Sequence, residues 1–296
     1  MRIVSLVPHA TELLFALGLG EEVIAVTHEC DYPPQALGLP RATRDMLEPG
    51  LSSAEIDAAV RERTEEGLSI YELDADLVRR LEPDLIVTQA LCPVCAVSYE
   101  DVAALAETMQ PAPRVIALDP HTLGETLGDV RTLAEATGRR DAGVALIARV
   151  AGRIDRVRLA VRGAARPRVA AIEWFDPIYV AGHWTPQLIE LAGGEDVLGG
   201  AGEPSERCSW DVLARASPQI VVAMPCGYGA AKAAAEAVGH AERLRSTGAD
   251  RVVAVDAASY FSRPGPRLVD GLELLAHILH PELAPDPPVA ALEVAF

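Results

Sequence analysis

The sequence predicts an α/β protein of two Rossmann-like βα lobes with parallel sheets, joined by a single long helix, with a ligand cleft between the lobes. Short apolar runs alternate with helical patterns, which is typical of parallel sheets covered by helices. The alternation restarts beyond Pro167, after a proline-free helical pattern over residues 141–162. At ~1.5 Å per residue this pattern is roughly 33 Å long, which suits a rigid connector, although an ordinary surface helix is the alternative. We expect an N-terminal lobe over 1–140, a connecting helix over 141–163 and a C-terminal lobe over 164–296.

The elements of the N-terminal lobe follow from local patterns. Gly18 and Gly20 end the first helical pattern. Ser52-Ser53-Ala54-Glu55 has capping-box spacing, so a helix is expected to begin near Ser53. The predicted strands cover residues 3–7, 23–26, 85–87 and 115–118, and the other predicted helices cover residues 10–17, 74–81, about 99–109 and the stretch between 122 and 138.

The C-terminal lobe repeats the same plan. Its apolar runs are short and are followed by loops that contain proline or glycine, which bound strands and helices. The predicted strands cover residues 169–172, 220–223 and 252–255, and the predicted helices cover residues 186–191, 230–245 and 266–279.

Polar loops marked by proline or glycine follow the predicted strands. In an open parallel sheet, ligands bind beyond the carboxyl ends of the strands, so these loops predict one cleft. The loops are Pro8-His9, residues 28–34, the stretch from Gln89 to Cys95, residues 173–177 and residues 224–227.

The composition excludes some classes of partner. The chain has 296 residues and a formal net charge of -17. Nucleic acids and anionic membrane surfaces are negatively charged and bind surfaces rich in lysine and arginine. We therefore expect neither as a partner of this acidic chain. Lys232 is the only lysine among the 26 basic residues, which we interpret as genome composition.

No stretch of the sequence is expected to cross or enter a membrane. No segment has ~18 uninterrupted apolar residues, which a transmembrane helix needs. The apolar run after Arg2 is interrupted by Pro8, His9 and Glu12, so it does not resemble a signal peptide. The sequence as it stands predicts a cytoplasmic protein, or a periplasmic or extracytoplasmic one if an export signal is missing.

A Cys-x-x-Cys motif is the most distinctive short pattern. Cys92 and Cys95 have a spacing suited to two thiolates on one metal ion. Cys30, Cys226 and His28 lie in loops at the same predicted sheet end and are the candidates for further ligands. Such a set predicts a zinc site or an iron–sulfur cluster. Two other interpretations stay open, because the cysteines could simply pack as small apolar residues or form a redox dithiol.

Histidine and aromatic residues in the loops are candidates for ligand contact. His9 precedes a helix start, where it either contacts an anionic ligand group or caps the helix. Glu173, Trp174, His183 and Trp184 lie in loops near Pro177 and Pro186, which favours the cleft over the core. His183 is also a candidate axial ligand of cobalt or iron.

The order and spacing of several motifs indicate a family. The motifs are residues 3–13, Asp31-Tyr32-Pro33-Pro34-Gln35-Ala36, Pro83-Asp84-Leu85-Ile86-Val87, Leu191-Ala192-Gly193-Gly194-Glu195, residues 216–222 and Tyr260-Phe261-Ser262-Arg263-Pro264-Gly265-Pro266-Arg267. With them the chain resembles the class III substrate-binding proteins of ABC importers, the iron-chelate and vitamin B12 type.

The resemblance implies a ligand held in the cleft without catalysis. The implied ligand is cobalamin, another corrinoid or a metal chelate, and the implied partner, if the protein is exported, is an ABC permease. Large flat side chains suit such a macrocycle because they cover apolar area with little loss of rotamer freedom. By position the implied contacts are His9, Tyr32, Gln89, Glu173, Trp174, Phe175, His183, Trp184, Trp210, Tyr260, Phe261 and Arg263.

A different class of function stays open beside this one. The thiolates of Cys30, Cys92, Cys95 and Cys226 predict a cytosolic metalloprotein with zinc or an iron–sulfur cluster, either an enzyme or a metallochaperone. The sequence contains no glycine-rich phosphate loop and no nucleophile elbow, so a kinase or hydrolase is not expected.

Overall fold

The computed structural model describes residues 1–90, 97–284, 287 and 289–295. The chain divides into two compact units. The first unit comprises Met1–Pro120 and Glu125–Ile147, and the second comprises His121–Gly124 and Ala148–Phe296. The domain limits and the ligand cleft expected from the sequence stay predictions.

A four-stranded parallel sheet forms the centre of the first unit, with the strand order β2-β1-β5-β6. A separate antiparallel pair, β3 with β4, was not expected from the sequence. The strands of this unit are β1 (Ile3–Ser5), β2 (Val23–Val26), β3 (Thr43–Asp45), β4 (Tyr71–Leu73), β5 (Leu85–Gln89) and β6 (Arg114–Leu118).

Helices cover this sheet, and local signals account for where they begin. Pro8 occupies the first turn of its helix, so the helix begins two residues earlier than predicted. The predicted capping box is confirmed, because Ser52 and Glu55 bond reciprocally at the start of the second helix. The helices are α1 (Pro8–Ala16), α2 (Ser53–Glu65), α3 (Ala75–Leu81), α4 (Tyr99–Glu107), α5 (Leu123–Ala136) and α6 (Arg140–Ala160), with a 3-10 turn at Pro34–Gly38.

The longest helix lies where the sequence places the connector. α6 has 21 residues, starts in the first unit and ends in the second. Because its interior contains no proline, its hydrogen-bond ladder is continuous. The predicted mixed α/β class with a long helix at this position is therefore confirmed.

The sheet of the second unit is mixed, whereas the sequence predicts parallel strands only. Strand β7 pairs in parallel with β9 and β11, and β11 with β12, but β8 and β13 pair antiparallel with their neighbours. The strands are β7 (Arg168–Phe175), β8 (Ile178–Val180), β9 (Glu195–Asp196), β10 (Glu206–Arg207), β11 (Ile220–Ala223), β12 (Arg251–Ala254) and β13 (Leu292–Glu293). A tight turn at Asp176 and Pro177 joins β7 to β8. Because the chain reverses only at this turn, β7 continues to Phe175, beyond the predicted end at residue 172.

One predicted helix of the second unit is divided in the structure. The pattern over residues 230–245 forms two helices that meet at His240, whose backbone leaves the helical region at φ -108° and ψ 18°. The helices are α7 (Thr185–Leu191), α8 (Trp210–Ala216), α9 (Ala230–Gly239), α10 (Ala241–Ser246), α11 (Ala257–Tyr260) and α12 (Leu268–Leu279).

Each unit has its own hydrophobic core. In the first unit Val4 and Ile86 of the sheet pack with Val102 and Leu105 of α4. The core of the second unit contains residues of four strands and of the helices over them, and it includes Ile172, Phe175, Ile178, Val221, Val252, Leu213 and Ala233. Ala233 and Ala237 of α9 are buried in this core.

An ion-pair cluster joins the carboxyl half of α6 to α12. Arg153 Nη2 lies 2.5 Å from Asp270 Oδ1 and 2.5 Å from Glu273 Oε2, and Arg153 Nε donates to Glu273 Oε1 at 2.9 Å. The Arg153 side chain is only 24% exposed. The guanidinium of Arg153 therefore neutralises the negative charge of both carboxylates where solvent access is limited.

Replacing Arg153 by Gln should destabilise the protein by about 2 kcal/mol, because two half-buried carboxylates lose their cation. Arg158 supplies the control, since it pairs with Asp155 but its side chain is 59% exposed. Arg158→Gln should change the free energy of unfolding by less than ~0.5 kcal/mol. Urea unfolding of both variants measures the difference, and equal losses would contradict the assignment.

Candidate ligand-binding residues at the strand ends

In the first unit, the predicted residues lie where the parallel strands end. His9 follows β1 and is buried in α1, and Gln89 is the buried last residue of β5. Tyr32 lies in the loop after β2 and is 44% exposed. Since the carboxyl ends of parallel strands share one edge of a sheet, these residues belong to the same edge of this unit.

Hydrogen bonds fix the imidazole of His28 beside β3. His28 Nδ1 lies 2.7 Å from the hydroxyl oxygen of Thr43, and the Thr43 hydroxyl donates to the Thr27 hydroxyl oxygen at 2.8 Å. The ring centroid is 4.9 Å from that of Tyr71. Burial lowers the pKa of His28, and the Glu29 carboxylate opposes this shift only in part. His28 is thus held in one orientation and favoured in its neutral form.

Arg41 and Thr11 hold the chain around Cys30. Arg41 Nη1 donates to the carbonyl oxygens of Thr27 at 3.0 Å and of Cys30 at 2.9 Å. The buried Cys30 Sγ lies 3.1 Å from Thr11 Oγ1. The β2 loop is therefore anchored by a charged donor that bonds backbone carbonyls.

The predicted thiolate cluster receives no support from the structure. Cys92 and Cys95 lie outside the described residues. Among the residues that are described, no three histidine, cysteine or acidic side chains gather as a metal site. Cys30 is buried in the first unit, and Cys226 is exposed in the second.

The side-chain amide of Gln89 is buried and not fully hydrogen-bonded among the described residues. Its Nε2 is buried and has no hydrogen-bond partner among the described residues, and the same holds for Thr88 Oγ1. A buried amide donor without a partner is costly, by about 1–3 kcal/mol. Gln89 is therefore well placed as a donor at the end of β5.

Asp129 on α5 lies in an acidic environment within the first unit. Burial, together with the charges of Asp119 and Glu125, raises the pKa of Asp129 to about 7. Asp129 Oδ2 is buried without a hydrogen-bond partner among the described residues. Its ionised form is therefore disfavoured in the folded protein.

In the second unit, aromatic residues lie at or beyond the carboxyl ends of β7, β11 and β12. The rings of Trp174 and Tyr228 meet edge to face with centroids 5.6 Å apart. Tyr260, at the end of α11, lies beneath the Arg267 guanidinium at 5.5 Å. Arg263 is half-buried in the loop that follows. These residues combine flat apolar area with positive charge at one edge of the sheet.

Three predicted contact residues are instead buried in the interior of the second unit. Phe175 belongs to the hydrophobic core and stacks on His240 with ring centroids 5.3 Å apart. Trp184 and Phe261 are buried, and the Trp184 indole donates to the Phe261 carbonyl at 2.7 Å. Their packing accounts for these rings without a ligand.

Trp210 belongs to a cluster of rings in the second unit. Its ring centroid lies 5.6 Å from that of His240 and 6.2 Å from that of Phe175, and the Arg243 guanidinium lies 5.6 Å from the Trp210 ring. Burial lowers the pKa of His240, while the nearby Glu236 opposes the shift. The half-buried Trp210 thus packs mainly against its own unit.

Glu173 and His183 are held by the loop that contains Glu203. Ser205 donates a short hydrogen bond to Glu173 Oε2. Burial raises the pKa of Glu173, and the bonds from Ser205 and Gly182 oppose the rise. His183 has φ +52° and donates its backbone N–H to the Glu203 carbonyl at 2.6 Å. A side chain at Gly182 would collide with the Glu203 carbonyl, so this close approach requires glycine.

A second histidine lies beside His183. The His121 ring centroid is 5.8 Å from that of His183. His183 adopts a left-handed backbone, which is costly for a residue with a Cβ, so its position is imposed by the surrounding loop.

The sequence interpretation missed Tyr228 and Lys232. Lys232 Nζ lies 3.6 Å from the centroid of the Tyr228 ring. Burial, and secondarily the charge of Glu236, raises the pKa of Tyr228. The i, i+4 spacing of the two residues at a helix start is the signal that could have found them.

Comparisons with known proteins agree with this architecture. The model of a family described as periplasmic binding protein matches residues 3–259. The chain is 24% identical to a vitamin B12-binding protein of Vibrio cholerae serotype O1 over 279 residues, which is 92% of this chain and 86% of that protein.

Two solved structures share the fold. The crystal structure of the periplasmic vitamin B12-binding protein of Vibrio cholerae has a TM-score of 0.68 at 24% identity, covering 94% of this chain and 96% of that one. A periplasmic heme-binding protein from Pseudomonas aeruginosa has a TM-score of 0.73 at 19% identity, covering 100% and 98%.

The chain belongs to the periplasmic binding protein family, because that family's model matches most of its length. The family resemblance drawn from the sequence is confirmed, and with it the general function of a ligand-binding protein. Within the described part of the chain, no helix is both long and apolar enough to cross a membrane.

Replacing Asp129 by Asn should raise Tm at about pH 8 and change it much less at about pH 4. Because the pKa of Asp129 rises from the ordinary value of 3.8 to about 7, the folded protein keeps this proton in that pH range, whereas the unfolded chain releases it. The free energy of unfolding therefore falls as the pH rises through that range. Asn abolishes this loss. Thermal unfolding across the pH range measures it, with the exposed Asp155→Asn as control; equal shifts at both pH values would contradict the assignment.

Proposed function

We propose that the protein binds a corrinoid or another metal chelate and releases it unchanged. The observation that carries this proposal is the group of Trp174, Tyr260 and Arg263 at one edge of the second unit's sheet. Aromatic faces cover a flat macrocycle well, and a guanidinium recognises carboxylate, phosphate or amide oxygen at its rim. The vitamin B12-binding and heme-binding proteins to which the chain is similar support this ligand class.

In the first unit, the proposed contacts are His9, Tyr32 and Gln89. Tyr32 exposes an aromatic face, and Gln89 supplies a buried amide donor that has no partner among the described residues. Together they offer apolar area and hydrogen bonds of the kind a corrin or porphyrin rim accepts. His183 is proposed as a further contact in the second unit.

The buried rings of Phe175, Trp184 and Phe261 are left out of the proposed contact surface. Each is buried by its own unit. Their contribution is to hold the loops that carry Trp174 and Arg263.

The proposal extends to location and partner. Membership of the periplasmic binding protein family favours an extracytoplasmic protein that delivers its ligand to an ABC permease. A carrier of this kind needs tight but reversible binding and no turnover, so the protein is proposed not to be an enzyme.

Titration with cyanocobalamin and, separately, with hemin tests the proposal. One of the two should bind stoichiometrically, and the bound ligand should be recovered chemically unchanged. Calorimetry and the absorption spectrum follow binding. Failure of both ligands to bind at micromolar concentration would contradict the proposed function.

Replacing Tyr32 by Ala should weaken binding of the active ligand about tenfold, because a buried aromatic contact is worth roughly 1.4 kcal/mol. Tyr99→Ala is the matched control, since Tyr99 is also an exposed tyrosine of the first unit, 39% exposed at the start of α4. The control should bind as the unmodified protein does. Equal affinities for the two variants would remove Tyr32 from the contact surface.

A further inference from the structure

Lys232 is an unusual residue in this chain. It is the only lysine, and the protein carries a formal net charge of -17. Lys232 is exposed, yet within the part of the chain that the structure describes it forms no ion pair with a carboxylate. The acidic residue one turn further on, Glu236, instead lies 3.8 Å from His240 Nε2. A cation without an acidic partner is unexpected where acids are in large excess.

The position of Lys232 does not serve the stability of its helix. It is the third residue of α9, whose first turn contains no acidic residue and whose N-cap, Gly229, provides no side-chain hydrogen bond. A cation in the first turn opposes the helix dipole and is unfavourable by a few tenths of a kcal/mol or more. Helix stability therefore does not explain the choice of lysine at this position.

Tyr228 fixes where the ammonium lies. Lys232 Nζ is 3.6 Å from the centroid of the Tyr228 ring, a cation–π contact. The ring is only 5% exposed and packs edge to face with Trp174. The ammonium thus lies on a buried ring that contacts Trp174, a residue that we assign to ligand binding.

Backbone hydrogen bonds make this support rigid. The Tyr228 carbonyl accepts from the Ala258 N–H at 3.1 Å, and the Gly227 N–H donates to Ser262 Oγ at 3.3 Å. The loop after β11 is therefore tied to the chain after β12. A positive charge fixed in advance loses little freedom when it pairs with an anion.

We propose that Lys232 is a specificity-determining residue that pairs with an anionic oxygen group, a carboxylate or a phosphate, at the rim of the bound chelate. The inference rests on the proposed function and adds the charge of the preferred ligand. A macrocycle lying on Trp174 would bring such a substituent to the ammonium. An unpaired point charge on an aromatic support is suited to this task because it retains full attraction for an incoming anion.

Ligand pairs that differ in their anionic group test the inference. Cyanocobalamin carries a phosphodiester that dicyanocobinamide lacks, and hemin carries two carboxylates that its dimethyl ester lacks. Lys232→Gln should lose about tenfold in affinity for the anionic member of the pair that the protein binds, and little for the neutral member. The first pair reports a phosphate and the second a carboxylate.

Two further variants separate recognition from structure. Lys232→Arg should restore most of the preference, because it keeps the charge. Arg215→Gln, which removes one exposed cation from the same unit, should leave the preference unchanged. A preference unaltered in Lys232→Gln would overturn the inference and leave the proposed function intact, whereas failure of the unmodified protein to bind any of the four ligands would overturn both.

Amine labelling of the unmodified protein gives an independent measurement. Because the chain has one lysine, an amine-specific reagent reports on Lys232 and the terminal amine alone. Saturating anionic ligand should slow labelling of Lys232 several-fold and leave the terminal amine unaffected. Unchanged labelling at saturation would contradict the inference even if the Lys232→Gln variant failed to fold.

Discussion

Burial of the central strands is the constraint on which the rest of the structure depends. β5 and β11 are buried at every position. Such strands offer no surface along their length to a ligand. Polar and aromatic groups can act only where the chain leaves a strand, and the carboxyl ends bring several such points to one edge.

Hydrogen bonds within each unit also fix these loops before a ligand binds. Arg41 bonds two backbone carbonyls in the β2 loop, and the chain after β11 bonds the chain after β12. Loops fixed in this way lose little conformational entropy when a ligand arrives. A ligand-binding protein gains affinity in this way, since its contacts are already in place.

Much of the fold could be predicted from the sequence, but less of the site. Apolar runs and capping residues identified the main strands and the start of α2. Short strands such as β8 and β10 have too few residues to show an alternating hydrophobic pattern. The break between α9 and α10 lies in the backbone conformation of His240, which the residue type does not reveal. Burial of Phe175 and Trp184 was not predictable, because position in a loop does not say which face a ring covers. The sequence alone attributes Lys232 to composition, because its contact with Tyr228 depends on the folded chain.

The bond between Thr43 and His28 has a consequence for the kind of group that can approach this histidine. The hydroxyls of Thr43 and Thr27 both lie within hydrogen-bond distance of Nδ1, at 2.7 Å and 3.4 Å. They occupy this nitrogen, so Nε2 is the ring atom through which a further group can interact with His28. In the neutral ring one nitrogen carries the hydrogen and the other a lone pair, so the hydrogen bond at Nδ1 decides whether Nε2 donates or accepts.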